Sequence, residues 1–321
     1  MLSAMLKTLE GKTTSIVFPE GNEPRVLNAA VRLHNDGYVT PVLLGNVEEV
    51  KAVAASIGVS VEGIEIIDPA TYAEMDEMVA KMVEMRKGKM DEAACRAALA
   101  KTNYFGTMLV AMKKADGLVG GATYSTADTV RPALQLVKTK PGSKIVSSAF
   151  ILVRGDEKLA MGDCAINIMP TEDNIVEIAL ETANTAKVFG MQPKVGLLSY
   201  STKGSGKGEA VDKMANATKR LQEMNLDYPV DGEFQFDCAV SETVAKTKAP
   251  TSEVAGHCNT FIFPNIEAGN IGYKIAQRLG GFEAVGPILQ GLNAPINDLS
   301  RGCTSEEVYK LAIITAAQKY I

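Results

Sequence analysis

The chain has 321 residues, enough for two domains or one large α/β unit, because single cores stop growing near about 250–300 residues. A hydrophobic share of 46% argues against disorder. A formal net charge of −5 argues against general nucleic-acid binding, which shows a basic excess, and leaves small anionic ligands open.

The N-terminal half alternates strand and helix. "TSIVF" (Thr14–Phe18) is a β-branched run. In "EPRVLNAAVRLHNDG", Pro24 suits a helix start and Gly37 its end. "TPVLLG", "VEEVKAVAASIG" and "IEIID" continue a βαβαβ rhythm, which predicts a parallel sheet with helices on its faces. Helical patterns run from about Thr71 to Ala115, where methionines at helical spacing read as core packing. "GLVGG" reads as a further strand. "PGS" at Pro141–Ser143 is the best linker candidate.

From Ser143 the rhythm restarts, with strands in "KIVSSAFILV", "LAMGDCAI", "PKVGLLSY", "TFIFPN" and "AVGPILQG". Helices are expected in "TEDNIVEIALETANTAKVFG", up to about Met224, and in "EAGNIGYKIAQRLGG". Thr304 to Ile321 reads as one amphipathic helix. The pattern predicts two three-layer α/β/α domains with a small-molecule cleft between them.

The five cysteines are odd in number, widely spaced and without a C-x-x-C, which suggests reduced thiols and a cytoplasmic protein. With two histidines only, a metal site is not expected. No apolar run reaches the roughly 18 residues of a membrane span, and the N-terminal charges do not suit a secretion signal.

Four stretches carry candidate chemistry. In "GGATYSTADTVRPAL" (Gly120–Leu134), Ser125 and Asp128 form a capping-box pattern, and a glycine turn between strand and helix offers N–H groups to an anion. Arg131 is expected in the first two helical turns. The dipole disfavours a cation there, so an anionic partner is implied, against the plainer reading of a solvated arginine. "SYSTKGSGKGEA" (Ser199–Ala210) fits neither a P-loop nor a dinucleotide fingerprint; a mobile loop and a grip on a large anion stay open. "MRKGKM", with Arg86, reads on its own as a solvated helix end. In "APINDLSRGCTSEEVY", Thr304 and Glu307 fit a capping box, which leaves Asn297, Asp298, Ser300 and Arg301 unexplained. Without a suitable histidine or a G-x-S-x-G, Ser300 reads as a hydrogen-bond donor rather than an acyl nucleophile, and Arg301 as a phosphate fork.

Together with "PEGNEPRV", "DGEFQFDCA", "FIFPNIEAGNIGYK" and "GPILQGLNAPINDLSRGC", these motifs span nearly the whole chain. In this combination the chain resembles the phosphate acetyltransferases (phosphotransacetylases) of the phosphate acetyl/butyryltransferase family, in their short form. The resemblance implies the reversible reaction acetyl-CoA + phosphate = CoA + acetyl phosphate. Coenzyme A is then a substrate, and no metal or other cofactor, nucleic acid or membrane is involved. It implies a homodimer of two-domain subunits with an isocitrate dehydrogenase-like fold. The final helix packs back on the first domain, giving residues 1–143 plus 299–321 and residues 144–298, with the active site in the interdomain cleft.

The implied mechanism is direct attack in a ternary complex. A carboxylate takes the thiol proton of coenzyme A, and the thiolate attacks the carbonyl of acetyl phosphate. By resemblance, Ser300 and Arg301 stabilise the transition state, Arg131 contacts phosphate, and Arg86 binds coenzyme A. Ser125, Thr126, Asn297 and Asp298 join the substrate site; Cys164 lies near it without being a nucleophile. The family's aspartate base is replaced by Glu307, with Asp298 and Glu306 in reserve. A thiol near pKa ~8.5 and a glutamate near ~4.3 differ by about 6 kcal/mol, which the site must offset. Phosphate butyryltransferase, an NAD dehydrogenase on the same fold and an acyl-CoA sensor are the rival readings.

Overall fold

A computed structural model describes residues 2–320; Met1 and Ile321, the outer limits of the expected first domain, lie outside the described residues. The chain divides into two compact units, Leu2–Pro141 joined by the segment from Leu292 onward, and Gly142–Gly291. The return falls at Leu292, ahead of the expected 299, because residues 296–298 pair with the first unit's sheet.

The first unit opens with α1 (Ser3–Leu9), β1 (Ser15–Phe18), α2 (Pro24–Asp36), β2 (Thr40–Leu44), α3 (Val47–Ser56) and β3 (Glu65–Ile67). Pro24 stands in the first turn of α2, and Gly37 closes it at φ 71° with its N–H on the Leu33 and His34 carbonyls. The long helical pattern divides into α4 (Met75–Arg86), α5 (Glu92–Leu99) and α6 (Thr102–Ala111). Lys87 and Gly88, at φ 49° and 79°, break the first, and Asp91 caps the second through the Ala94 N–H at 2.8 Å. β4 (Gly117–Gly120), α7 (Thr126–Pro132) and a π-helical turn at Ala133–Val137 follow. After the second unit come β11 (Ile296–Asp298) and α13 (Ser305–Gln318). The sheet is parallel throughout, in the order β11-β4-β1-β2-β3.

Met78, Met82, Phe105 and Met108 fill one core cluster with Val17, Leu44 and Leu118, as the methionine spacing predicted. α13 is not amphipathic. Val308, Tyr309 and every residue from Leu311 to Ala317 are buried, because the helix lies between β4 and β1 on one side and α1 and α2 on the other.

The second unit holds β5 (Ser147–Arg154), β6 (Glu157–Gly162), α8 (Glu172–Val188), β7 (Val195–Leu198), α9 (Glu209–Gln222) and β8 (Val230–Phe234). Short helices α10 (Phe236–Val240) and α11 (Glu242–Lys248) precede β9 (Thr260–Ile262), α12 (Ile266–Arg278) and β10 (Glu283–Gln290). Its sheet runs β10-β5-β6-β9-β7-β8, with β5 antiparallel to both neighbours and the remaining pairs parallel. Among the described residues, no helix is long and apolar enough to cross a membrane.

Candidate active site

In the first sheet, β1 connects outward to β2 on one side, while β4 lies on its other side. The chain direction therefore reverses between β1 and β4, and ligands of open α/β sheets bind beyond the carboxyl ends of strands at such a point. The loops leaving β1, β4 and β11 meet there. β11 pairs with β4 so that Asp298 stands beside Gly120, and the Leu299 N–H donates to the Gly120 carbonyl at 2.7 Å.

The approach is close enough to require glycine. Gly121 has φ +105°, and a Cβ on it would come within 2.9 Å of the Leu299 carbonyl oxygen. The N–H groups of this turn are not available to an outside anion, contrary to expectation. The buried carboxylate of Glu20, two residues past β1, accepts from Gly121 N–H at 2.9 Å, Ala122 N–H at 3.0 Å, and both the N–H and hydroxyl of Thr123. Beside it, Tyr124 Oη is buried without a hydrogen-bond partner, and burial, aided by the Glu20 charge, pushes its pKa well above the usual phenol range.

Ser125 caps α7, its hydroxyl donating to Asp128 at 2.6 Å; that bond holds the Asp128 carboxyl below its usual range. Arg131 lies exposed in the second turn of α7, as expected, and the helical path runs on without a break into the π-helical turn at Ala133–Val137. Its exposure leaves the guanidinium open to an anion. Arg86, at the end of α4, donates from Nη1 to the Gln135 carbonyl at 3.4 Å, and its Nε is buried without a partner. Thus Arg86 is half-buried rather than a solvated helix end, and it reaches the π-helical turn that follows Arg131.

At the end of β11 the side chains divide by face. Asn297 is fully buried and donates to Thr315 Oγ1 at 2.8 Å and Gln318 Oε1 at 2.6 Å, which fastens α13. It was expected to touch substrate; its full burial and these two bonds give it a part in fastening α13. Asp298, 1% exposed, accepts from the Thr126 hydroxyl at 2.6 Å and the Thr129 hydroxyl at 2.5 Å, so Thr126 serves the docking of α7. Burial raises the Asp298 pKa, against the lowering effect of the two hydroxyls.

Ser300 and Arg301 then stand exposed in a tight turn, with the Cys303 N–H on the Ser300 carbonyl at 2.9 Å and the Gly302 N–H on Ser300 Oγ at 3.3 Å. The turn is held from the far end of the sequence. Arg25 donates to the carbonyls of Arg301 (2.8 Å), Cys303 (2.9 Å) and Ala122 (2.9 Å), and its Nε meets Glu23 at 2.6 Å. Sequence reasoning missed Arg25 and Glu20, though both lie in "PEGNEPRV". The signal for Arg25 was a cation in the first turn of α2, next to Pro24, where a dipole repels it.

Glu307 does close the predicted capping box: Oε2 accepts from the Thr304 N–H at 2.7 Å and hydroxyl at 3.1 Å, and the Glu307 N–H reaches Thr304 Oγ1 at 3.2 Å. Glu306 is turned to α2, where it pairs with Arg32 at 2.6 Å.

In the second unit, Cys164 is fully buried with a thiol pushed well above its usual range by burial. The glycine-rich loop after β7 is fastened by the buried Glu233, which accepts from Ser201 Oγ and Gly204 N–H, both at 2.8 Å. Lys203 is spent on Asp231. Among the described residues, no group of three or more His, Cys, Asp or Glu side chains is placed to hold a metal.

The site thus offers a guanidinium fork and a hydroxyl, both exposed on a backbone turn locked from three sides, with two buried carboxylates behind it. Such a pair suits a small oxyanion next to a polarised carbonyl.

Known proteins resemble this chain over nearly its whole length. The phosphate acetyltransferase of Bacillus subtilis (strain 168) is 54% identical over 99% of this chain and 98% of its own length. A phosphotransacetylase crystal structure from Streptococcus pyogenes is 52% identical and superposes with a TM-score of 0.97, covering 99% of this chain and 97% of that one. A chain described as a 4-hydroxythreonine-4-phosphate dehydrogenase from Salmonella typhimurium, 14% identical with a TM-score of 0.54 over 95% of this chain and 99% of its own, shares the fold alone. The family model described as phosphate acetyl/butaryl transferase matches residues 1–316, and the chain belongs to that family of acyl-transferring enzymes.

Proposed function

We propose that the protein is a phosphate acetyltransferase, moving an acetyl group reversibly between coenzyme A and inorganic phosphate. The observation that carries this reading is the exposed Ser300–Arg301 turn, fixed through its carbonyls by Arg25 at the carboxyl ends of β4 and β11, in a chain whose relatives bear that name.

In the direction of acetyl-CoA formation, the thiol proton of coenzyme A passes to a carboxylate. The thiolate then attacks the acetyl phosphate carbonyl; the C–S bond forms, the C–O bond to phosphorus breaks, and phosphate leaves with the bonding pair. Arg301 and Arg131 hold the phosphate oxygens, and Ser300 donates a hydrogen bond to the oxygen that gains charge. Arg86 takes an anionic group of coenzyme A. Glu307 is the base of choice. Its Oε2 is committed to the cap, which orients the carboxylate and leaves Oε1 for the proton. Asp298 has both oxygens engaged and is 1% exposed, and Glu306 is paired with Arg32, so both are poorer acceptors. Orientation of bound groups is worth up to about 7–11 kcal/mol, enough to cover the roughly 6 kcal/mol mismatch between a thiol and an ordinary glutamate.

The protein acts in this reading as a cytoplasmic homodimer. Purified protein given acetyl-CoA should release free thiol only when phosphate is present and should form acetyl phosphate. Faster turnover of butyryl-CoA than of acetyl-CoA would assign the longer acyl substrate instead.

A further inference from the structure

Two arginines of α2 stand seven residues apart, which puts them on one face of that helix. Both reach forward to the end of the chain, within the first unit. Arg25, in the first turn, holds the Arg301 and Cys303 carbonyls. Two turns on, Arg32 Nη1 meets Glu306 Oε2 at 2.6 Å, and the Arg32 guanidinium carbon lies 3.7 Å from the centre of the Tyr309 ring. One turn further, Asp36 accepts from the Tyr309 hydroxyl at 2.8 Å and stands 3.6 Å from Arg32 Nε. Residues 301, 303, 306 and 309 are thus pinned in order along α2. Glu307 sits inside that run.

Stability is a weak reason for Arg32. Its side chain and that of Glu306 are 51% and 49% exposed, and ion pairs so open to water add little to folding. α13 is in any case anchored by its buried residues from Val308 to Ala317. Direction is a better reason. Neighbouring positions on a helix point about 100° apart, so tying Glu306 to α2 fixes where Glu307 points. Glu306 is drawn to that side through both oxygens, since Lys310 Nζ approaches Oε1 at 3.9 Å. Glu307 is left to close the cap on Thr304 with Oε2 and to present Oε1. We propose that Arg32 is a positioning residue of the reaction: through Glu306 and Tyr309 it sets the rotation of the first turn of α13, and so the aim of the Glu307 carboxylate. This rests on the reading of Glu307 as the base and adds to it a side chain remote from the reacting atoms.

The test is steady-state kinetics of Arg32→Gln, Glu306→Gln and the double variant, with hydrogen exchange of the peptide covering residues 300–309 and thermal melts by circular dichroism. Arg32→Gln should lower kcat about tenfold, because a small misplacement of a reacting group is costly, while KM for coenzyme A and acetyl phosphate stays within about twofold. Exchange in residues 300–309 should quicken at a nearly unchanged melting temperature. The double variant should be no slower than the slower single, since both remove one contact. An unchanged kcat, a loss carried by KM alone, unaltered exchange in residues 300–309, or losses that multiply in the double variant would each overturn the proposal. Phosphate-dependent thiol release that is indifferent to Arg32→Gln would remove this inference alone. Its absence from the unaltered protein would remove the enzymatic reading and this one together.

Discussion

In the capping box of α13 the Thr304 N–H and hydroxyl both reach Oε2 of Glu307, while Oε1 lies outside the box. One residue can therefore fix the helix start and accept a proton, and the substitution that separates the two tasks is Glu307→Gln. Glutamine closes a capping box as well as glutamate does but cannot take the thiol proton. Turnover should fall by about 10²–10⁴-fold with a nearly unchanged melting temperature. An unchanged rate would move the base elsewhere. Arg25 acts one step further back: its guanidinium touches carbonyl oxygens, holding the backbone that displays Ser300 and Arg301. Arg25→Ala should lower kcat more than it raises KM for phosphate. Lysine, with a single charged point in place of a fork, should restore little of it. Equal losses in a thermal melt and in kcat, with no change in the kinetics of the folded fraction, would reduce Arg25 to a fold-stabilising residue.

Among elements, the docking of α7 on β11 is set by Asp298 between two threonine hydroxyls. Its pKa is raised in the fold by burial, so the protonated form is the better bound one. Its stabilising effect is then full below the unfolded value near ~3.9 and is lost as pH rises through the higher folded value. Asp298→Asn keeps the shape without the charge. Its stability relative to the unaltered protein, followed by urea unfolding, should improve as pH rises across that window; a constant difference would show that Asp298 titrates normally. The elements also show what the sequence could disclose. The capping boxes at Ser125 and Thr304 were readable because their partners lie three residues apart. β11 was not, because "IND" has no strand periodicity; it is extended only through its pairing with β4, far away in sequence. Arg131 was placed in the first two turns of its helix, where the structure has it; what had no local signature was the π-helical turn at Ala133–Val137 that carries the helical path on.

For the whole molecule, the alternation of β-branched runs with helical spacing was enough to predict two α/β units with parallel-rich sheets. The contents of the site were less legible. Glu20 fills the N–H cradle read as open to substrate, and Arg25 locks a turn far along the chain; contacts of that span leave no pattern in a single sequence. What remained readable was the exposed pair itself, Ser300 and Arg301, too polar and too crowded for a plain helix entry.

The central claim is that this pair performs acetyl transfer to phosphate. It is tested most directly by comparing the unaltered protein with Arg301→Ala in acetyl-CoA thiol release, with and without phosphate. We predict strict phosphate dependence, acetyl phosphate as product, and a loss of about 10²–10³-fold in the variant at an unchanged fold. Thiol release that ignores phosphate, or an Arg301→Ala enzyme as fast as the parent, would contradict it.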